Sequence, residues 1–542
     1  MLVGPLYMMQ IYDRVLSSGS IPTLIALTSL VLLLYLLYGF LDFIRSRIMI
    51  RVGRVGDARL RDDVFNAVAY HGLRRTPTIK NIPLQDLLTI RQFVSGPGPL
   101  IFCDLPWAPV YLAVIFLLHP ILGAYAAAAM VIITLLASVT DRWTRDPTAA
   151  AQRSALQAIA MGDESRRQVE SAQALGMIAI LRDRWRKVLN DALDHQTLAS
   201  DRSGLTASAS RTMRLIFQSG ILAVSAWLAV KREISPGTMI AASIIMSRAL
   251  APVEQAVAQW QSFLGFRRAF SRLSELLKQL PPETKRMTLP DPNGRVSVSN
   301  LSCFLAGSDR PIIANISFDI PPGTGLGVIG PTGAGKSTLA RALVGVWPTF
   351  RGSVRLDGAA IEQWDSAQFG RHIGYLPQDV DLFDGTVAEN ISRFDPQAQS
   401  ADIVKAARQA DVHDLILRFP AGYDTLIGES GARLSAGQRQ RIGLARALYR
   451  DPVFIVLDEP NANLDAEGES ALVKAIIAAR ERGGTVVVVA HRPSAMAALD
   501  MIMMLRDGRR LAFGPSEEVL KKVLSRPRAV PGSSLSVVTP EE

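Results

Sequence analysis

The sequence predicts an α-helical transmembrane domain of six spans, followed by an α/β domain that contains a phosphate-binding loop. Three observations lead to this fold class. Residues 1–275 hold long apolar runs, whereas residues 295–525 alternate strand-like and helical runs. Between them, residues 276–294 are rich in proline and charge, as a linker is. A chain of 542 residues is also too long for a single hydrophobic core.

Five of the six spans are apolar runs of a length that crosses a bilayer as a helix. They occupy residues 24–43, 100–118, 121–139, 215–230 and 239–258. Asp104, Pro106 and Pro109 interrupt the second run, and membrane helices tolerate such residues. Residues 1–16 supply the remaining span, but their apolar part is too short to cross a membrane, so we expect this first span to be truncated. Buried helices of a water-soluble protein are the alternative, and the lengths and pairing of the runs argue against it.

The basic residues indicate how the spans are oriented. Arginine and lysine crowd the links at residues 44–99 and 141–213, whereas the links within each pair of spans are short. Because basic loops stay in the cytoplasm, both long links and the second domain are expected on the cytoplasmic side of the membrane. The same distribution accounts for the net charge of +10, so no nucleic-acid partner is expected.

The two long links have helical periodicity but are too polar to be membrane helices. Each contains a break, within residues 73–84 and 170–180, where a short transverse helix is expected to contact the second domain. Residues 526–542 are expected to form a disordered tail. The two cysteines, Cys103 and Cys303, are far apart in sequence, which excludes a disulfide framework and a cysteine metal site.

Residues 330–337 match the pattern G-x-x-x-x-G-K-[ST] without a mismatch. The apolar run 325–329 precedes this loop and a helical pattern follows it, which is the order that phosphate binding requires. Backbone N–H groups and the helix N-terminus then face one anion, Lys336 reaches the β- and γ-phosphates, and Ser337 can bind Mg²⁺. A glycine-rich turn that binds nothing is the alternative, and the strand and helix beside the loop disfavour it.

Two further patterns accompany this loop. Residues 454–459 read as a buried strand that ends in Asp458 and Glu459, where one acid can hold Mg²⁺ and the other can orient or deprotonate water. Ser435 and its neighbours open a second helix with small residues, and such an N-terminus can accept an anion. Either pattern alone is weak, since solvated acids and ordinary helix starts look the same.

Together these patterns resemble those of an ABC transporter of the exporter type, with the membrane domain first and a P-loop ABC nucleotide-binding domain second. The resemblance implies ATP and Mg²⁺ as cofactors. It implies ATP-binding roles for Phe304, Gly330, Gly333, Ala334, Gly335, Lys336, Ser337, Thr338, Ser435, Gly437, Gln438 and Asp465. Catalytic roles are implied for Glu459, His491 and Gln378, and metal-binding roles for Ser337, Gln378 and Asp458. Phe304 would stack on adenine, although a buried phenylalanine is an equally ordinary reading of that position.

A narrower resemblance comes from the stretches at residues 5–15, 104–109 and 458–465. These are similar to the permease-ATPases of bacterial type I secretion, which export proteases, lipases and repeat-in-toxin proteins. The resemblance implies a homodimer in membrane lipid that moves an unfolded polypeptide with a C-terminal secretion signal across the inner membrane. It also implies a membrane-fusion protein and an outer-membrane duct as partners. No peptidase-like domain precedes the spans, so exporters that cleave a signal peptide are disfavoured.

Other functions remain open at this point. An exporter of lipid, drug or peptide would have the same fold, and an ATP-gated channel is a further possibility. Glu459 and His491 favour hydrolysis over gating alone. A basic soluble ATPase on nucleic acid is excluded by the apolar spans.

Overall fold

The computed structural model describes residues 2–73, 82–280, 288–305, 308, 310–347, 350–428, 431, 434–490, 496 and 498–524. These residues form two compact units. The helical unit lies within residues 2–280, and the sheet unit lies mainly within residues 288–524. His491, the middle of the expected linker, most of the break expected at residues 73–84, and the expected tail at 526–542 lie outside the described residues.

Long helices build the helical unit. They are α1 (Val3–Gln10), a π-helical segment (Ile11–Val15), α2 (Leu16–Ser18), α3 (Ile21–Leu73), α4 (Ile82–Ser95), α5 (Gly98–Asp104), α6 (Trp107–Leu118), α7 (Pro120–Arg167), α8 (Val169–Ala174), α9 (Ile178–Val230), α10 (Pro236–Ala258) and α11 (Trp260–Lys278). Because α3, α7 and α9 each continue far beyond an apolar run, the spans and the polar links form continuous helices. The short helix α8 lies in the break expected at residues 170–180.

Within the described residues, five helical stretches are long and apolar enough to cross a membrane. They are Ile21–Gly72, Gly98–Leu118, Pro120–Arg167, Ile178–Val230 and Pro236–Lys278. Each contains one of the five apolar runs, which confirms that part of the prediction. The segment from α1 to α2 precedes them and ends at Gly19, whose φ of 63° is left-handed.

The core of the helical unit lies between α6, α7, α9 and α10. Its largest fully buried side chains are Ile115, Leu122, Ile133, Ile221, Leu228, Ile245, Met246 and Leu250. The helix α3 is different, since none of its apolar window is buried. Burial of apolar side chains therefore holds α10 within the unit, whereas α3 presents leucines and phenylalanines on its surface.

Two acids of the helical unit are satisfied by distant partners. Asp104, at the break between α5 and α6, accepts two hydrogen bonds from the Arg45 guanidinium at 2.7 and 3.0 Å. Asp13, in the π-helical segment, accepts from the backbone N–H of Gly237 at 2.8 Å and from the Ser235 hydroxyl at 2.5 Å. Asp13 lies in residues 5–15 and Asp104 in residues 104–109, two of the stretches that resemble type I secretion proteins. Each acid links separate helical segments.

The sheet unit contains two sheets. The strands are β1 (Val296–Phe304), β2 (Pro311–Ile320), β3 (Gly325–Ile329), β4 (Phe350–Leu356), β5 (Ala359–Ala360), β6 (Ile373–Leu376), β7 (Phe454–Asp458), β8 (Thr485–Val489), β9 (Met501–Arg506) and β10 (Arg509–Pro515). One sheet is antiparallel with the order β2-β1-β4-β5. The other has the order β10-β9-β3-β8-β7-β6 and is parallel except for β10, which confirms the predicted α/β fold.

Helices of the sheet unit lie between and after its strands along the chain. They are α12 (Lys336–Leu343), α13 (Ser366–His372), α14 (Val387–Ile391), α15 (Ser400–Gln409), α16 (His413–Leu417), α17 (Ala436–Leu448), α18 (Ala466–Glu481) and α19 (Ser516–Leu524). Strands β7 and β8 are buried along their whole length, as continuous apolar runs require between helical layers. The loop after β3 and the acids at the end of β7 therefore lie at the same edge of this sheet.

Candidate nucleotide site

Three glycines shape the loop between β3 and α12. Gly330, Gly333 and Gly335 have φ values of 154°, 81° and 93°, which favour glycine. A Cβ on Gly330 would lie 2.2 Å from the Leu505 carbonyl oxygen, and one on Gly335 would lie 2.4 Å from a methyl of Ile313. The loop therefore needs glycine at both positions for space as well as for conformation.

The helix α12 begins directly after this loop without a side-chain cap. Its N-cap residue is Gly335 in the left-handed conformation, and Lys336, Thr338 and Ala334 around it are buried. The first N–H groups of a helix have no partner inside the helix. The start of α12 therefore offers donors that a ligand can satisfy.

The ammonium of Lys336 folds back over the loop. It donates hydrogen bonds to the carbonyl oxygens of Gly330 and Pro331, each at 3.0 Å. Burial lowers the pKa of Lys336, while the nearby carboxylates of Glu459 and Asp458 act in the opposite direction. An anion at this loop would favour the charged ammonium and replace the two carbonyl contacts.

Asp458 is fully buried at the end of β7, and one of its oxygens accepts a hydrogen bond from the Ser337 hydroxyl at 3.1 Å. Its other oxygen, Oδ2, is buried and has no hydrogen-bond partner. Burial raises the pKa of Asp458 because the ionised carboxylate has lost its water. Such an atom in a native structure indicates a missing donor or ion.

Glu459 follows in an unusual backbone conformation. Its φ is 51°, and its N–H donates to the Val489 carbonyl of β8 at 2.8 Å. Its carboxylate accepts a hydrogen bond from the Gln378 side-chain amide at 3.2 Å. Strained residues cluster at functional sites, where the surrounding structure holds them. The structure thus brings Gln378, Asp458, Glu459 and the glycine loop together at one edge of the sheet.

Ser435, Gly437 and Gln438 form the start of α17. The Ser435 hydroxyl accepts from the Gln438 backbone N–H at 3.2 Å, and the Gln438 side chain accepts from the Ser435 N–H at 2.9 Å. This reciprocal pair is a capping box. A Cβ on Gly437 would lie 2.9 Å from the Asn463 carbonyl oxygen, so the loop before α18 approaches this helix closely.

Asp465 is a helix cap in this structure. It accepts from the Gly468 N–H at 2.9 Å and from the Arg441 guanidinium at 2.6 Å. The Gly468 hydrogen bond, with the Arg441 bond second, lowers the pKa of this exposed carboxyl. Arg441 belongs to α17, so Asp465 fixes the start of α18 against the same helix that carries Ser435.

Among the residues described, no hydrogen bond or ion pair joins the start of α17 to residues 330–337 of the same chain. Apart from Phe304, at the end of β1, the described candidate residues therefore fall into two groups. One group surrounds the glycine loop, and the other consists of Ser435, Gly437, Gln438 and Asp465. His491 lies outside the described residues, so its position is not assigned to either group.

Sequence reasoning missed Gln440 and Arg441. Gln440 is buried, and its amide donates to the Pro460 carbonyl at 3.0 Å, which ties α17 to the turn after Glu459. The signal was present in the sequence, because residues 438–441 are four consecutive polar side chains in a helix that is otherwise mainly alanine, leucine, isoleucine and glycine. A polar residue on the buried face of such a helix needs a partner.

The fold and this site define a membrane protein with a nucleotide-binding ATPase domain. Residues 1–253 match the family of the ABC transporter transmembrane region, and residues 313–462 match the ABC transporter family. A solved bacterial Atm1-family ABC exporter with ATP bound has the same fold, with a TM-score of 0.82 and 22% identity over 96% of this chain and 94% of that one.

Named relatives indicate which kind of ABC transporter this chain resembles. The type I secretion system ATP-binding protein PrsD of Rhizobium meliloti (strain 1021) is 46% identical over 98% of this chain and 91% of its own length. The cyclolysin secretion/processing ATP-binding protein CyaB of Bordetella pertussis is 28% identical, and the alpha-hemolysin translocation ATP-binding protein HlyB of Escherichia coli is 27% identical. Each of the last two matches 96% of this chain and 74% of its own length. The chain belongs to the ABC transporters, in the branch of the type I secretion ATP-binding proteins.

Proposed function

We propose that this protein uses ATP hydrolysis to export an unfolded polypeptide with a C-terminal secretion signal across a bacterial inner membrane, as part of a type I secretion system. The observation that carries this proposal is the 46% identity to PrsD, which extends over 98% of the chain and so includes both units. The apolar helices supply the membrane part, and the glycine loop supplies the ATP site.

The phosphates of ATP bind at the start of α12. The glycine loop turns backbone N–H groups toward them, and the dipole of α12 adds partial positive charge. Lys336 leaves the carbonyls of Gly330 and Pro331, at 3.0 Å, for the β- and γ-phosphates. Ala334 and Thr338 pack beneath the loop and hold its shape.

Ser337 and Asp458 would hold Mg²⁺, and the Gln378 amide oxygen would be a further ligand. The buried Oδ2 of Asp458 without a partner supports this assignment, since a cation would satisfy it. Among the described residues, no cluster of three or more His, Cys, Asp or Glu could hold a metal. Mg²⁺ fits such a sparse site because it takes few protein ligands beside water and phosphate oxygens. When bound there, Mg²⁺ would neutralise charge on the β- and γ-phosphates.

Glu459 orients and deprotonates the attacking water. Gln378, whose amide is 3.2 Å from the Glu459 carboxylate, positions that carboxylate toward the γ-phosphate. His491 stabilises the developing charge on the same phosphate. Phe304 at the end of β1 stacks on adenine, and Arg351, 5.2 Å from the ring centroid, fixes the ring.

Two copies of the chain build each ATP site. The support is the separation of the two groups of site residues, since nothing in the described part of one chain bonds the start of α17 to the glycine loop. In a symmetric dimer, Ser435, Gly437 and Gln438 of one protomer cover the γ-phosphate bound by its partner, and Asp465 fixes the neighbouring loop. Such a dimer gives two equivalent sites.

A membrane-fusion protein and an outer-membrane duct continue the path of the exported polypeptide. The support is the type I secretion name of PrsD. Among the described residues, the links expected outside the membrane are short, as between α6 and α7.

The test combines hydrolysis with substrate. Glu459→Gln should keep nucleotide binding and lose roughly 10²–10⁴-fold in hydrolysis, the usual contribution of a general base. In the unsubstituted protein, the C-terminal segment of a secreted protein encoded nearby should stimulate ATPase, whereas added lipid should not. Stimulation by lipid alone would favour a lipid exporter, and near-normal turnover of the Glu459 variant would contradict the catalytic assignment.

A further inference from the structure

The helix α10 exposes an unusual set of side chains. It packs against α1, α6, α7 and α9, and apolar residues such as Ile245, Met246 and Leu250 are buried there. Past its first residue, the exposed side chains in the described part of α10 are Arg248, Gln255 and Ala258. Large apolar side chains, which are exposed on α3, α7 and α9, are not exposed on α10 in the described residues.

Arg248 lies within Pro236–Lys278, one of the helical stretches that are long and apolar enough to cross a membrane. It follows Pro236, the first residue of α10, by twelve positions, which at the usual rise is about 18 Å along a bilayer core of about 30 Å. Arginine at such a depth costs about 2.5–3.5 kcal/mol or more when it faces lipid, so it faces water or protein. Gln255 lies two helical turns farther on the same face.

In the part of the chain that the structure describes, no acidic side chain pairs with Arg248. Among the described residues, the nearby acids are occupied elsewhere, since Glu254 pairs with Arg214 at 3.4 Å and Asp104 pairs with Arg45 at 2.7 Å. Tyr111 of α6 is close enough to interact with the Arg248 charge, but it is a neutral phenol. The positive charge of Arg248 therefore remains on the exposed strip of α10, which consists of Arg248 and Gln255.

Pro252 alters the helix backbone near Arg248. It lies inside α10, and a proline cannot donate the hydrogen bond that the carbonyl four residues earlier would accept. That carbonyl belongs to Arg248. Proline therefore interrupts the helical hydrogen bonds at the level of Arg248.

We propose that Arg248 and Gln255 face a water-filled path at the surface of the helical unit, and that Arg248 binds carboxylates of the polypeptide as it passes. This inference rests on the proposed export function and adds to it the residues that contact the substrate. It also gives the substrate a chemical class, an extended polypeptide with acidic side chains.

The test uses Gln255→Cys, which places a reporter thiol on this strip, in the full-length protein in lipid nanodiscs. Cys103 is exposed and is replaced by serine, whereas burial raises the pKa of Cys303 to about 12, so that this thiol stays unreactive and is kept. A water-soluble cationic methanethiosulfonate should label the reporter thiol rapidly. The matched control is Leu36→Cys, on the exposed apolar face of α3, which should stay unlabelled because it faces lipid.

A glutamate-rich peptide then serves as the acidic probe, and a peptide with glutamine at the same positions serves as its neutral match. With Arg248 intact, the acidic peptide should slow labelling of the reporter thiol about tenfold more than the neutral one. Arg248→Gln should remove this difference, and Arg248→Lys should keep part of it. Arg153→Gln, an exposed arginine of the α7 extension, should leave it unchanged.

A reporter thiol that stays unlabelled, or equal protection by both peptides, would overturn the inference. Export by the unsubstituted protein in cells distinguishes a failure of the proposed path from a failure of the proposed function. If the polypeptide is exported but the reporter thiol is not protected, only the proposed path is wrong. If no polypeptide is exported with its partners present, the proposed function fails, whatever the labelling shows.

Discussion

Two helices of the sheet unit, α12 and α17, differ in what satisfies the free N–H groups of their first turns. The helix α12 starts at Gly335, which has no side chain to act as a cap. The helix α17 starts at Ser435, whose hydroxyl accepts from the Gln438 N–H while the Gln438 side chain accepts from the Ser435 N–H. One start depends on a ligand for its partners, and the other is stable by itself.

This difference suits two roles in one ATP site. The first N–H groups of α12 have no side-chain cap, and the glycine loop holds them in place. This helix can therefore bind phosphate whenever nucleotide is present. A helix that is already capped loses nothing when no phosphate faces it, so it can approach and leave the nucleotide in each cycle. We therefore assign permanent binding to α12 and transient closure to α17.

The largest effect is expected from a negative charge at the capped start. Ser435→Asp and Ser435→Asn both preserve the cap, because aspartate and asparagine are as good at this position as serine. Aspartate would repel the γ-phosphate, so hydrolysis should fall about 10²-fold, whereas the asparagine variant should lose far less. The measurement is steady-state ATPase of the two purified variants. Equal activity in both would show that no phosphate approaches Ser435.

A second substitution removes space at the uncapped start. In Gly335→Ala, the new Cβ would lie 2.4 Å from Ile313 at a φ of 93°, and we expect ATP affinity to fall about tenfold or more. Gly333→Ala is the matched control, since its φ of 81° is similar but its Cβ would meet no atom within 4 Å. Titration with a fluorescent ATP analogue measures both. An equal loss in the two variants would mean that backbone strain, and not the close packing of the cradle, sets affinity.

The two helices differ in how many of their features can be predicted from the sequence. The glycine loop, Lys336 and Ser337 were predicted because their spacing is local and the strand before them is an apolar run. The five long apolar helices and the parallel sheet were predicted for the same reason, and both predictions are confirmed. The local sequence pattern was sufficient to predict a feature wherever the residues that form it lie within a few positions of each other.

Other features depend on tertiary placement. The hydrogen bond between Gln378 and Glu459 joins residues 81 positions apart, and no spacing rule foretells it. The capping role of Asp465 needs Arg441, which lies on a different helix. The π-helical turn at Ile11–Val15 aims Asp13 at the start of α10, more than 220 residues away. These contacts follow from packing, so the sequence named the residues without their partners.

The smallest expected effect is on stability. The comparison is between Asp458, beside the glycine loop, and Asp465, in the group with Ser435. Asp458 is buried with one oxygen unpaired, so Asp458→Asn should not lower the melting temperature without nucleotide, although Mg²⁺ should no longer add to the stabilisation by ATP. Asp465 is held by Gly468 and Arg441, so Asp465→Asn should lower the melting temperature slightly. Thermal unfolding of the purified variants, with and without Mg²⁺ and ATP, gives both numbers. A clear loss of stability in the Asp458 variant would contradict the cation site.

The central claim is that α12 of one protomer and α17 of its partner form one ATP site. The most direct measurement is ATP hydrolysis by a purified dimer that pairs a Lys336→Ala protomer with a Ser435→Asp protomer. Shared sites leave one site with both residues unmutated, so the mixed dimer should hydrolyse ATP faster than either variant homodimer, and it should trap nucleotide at that site. Hydrolysis no faster than in the homodimers, together with no trapped nucleotide, would contradict the shared site.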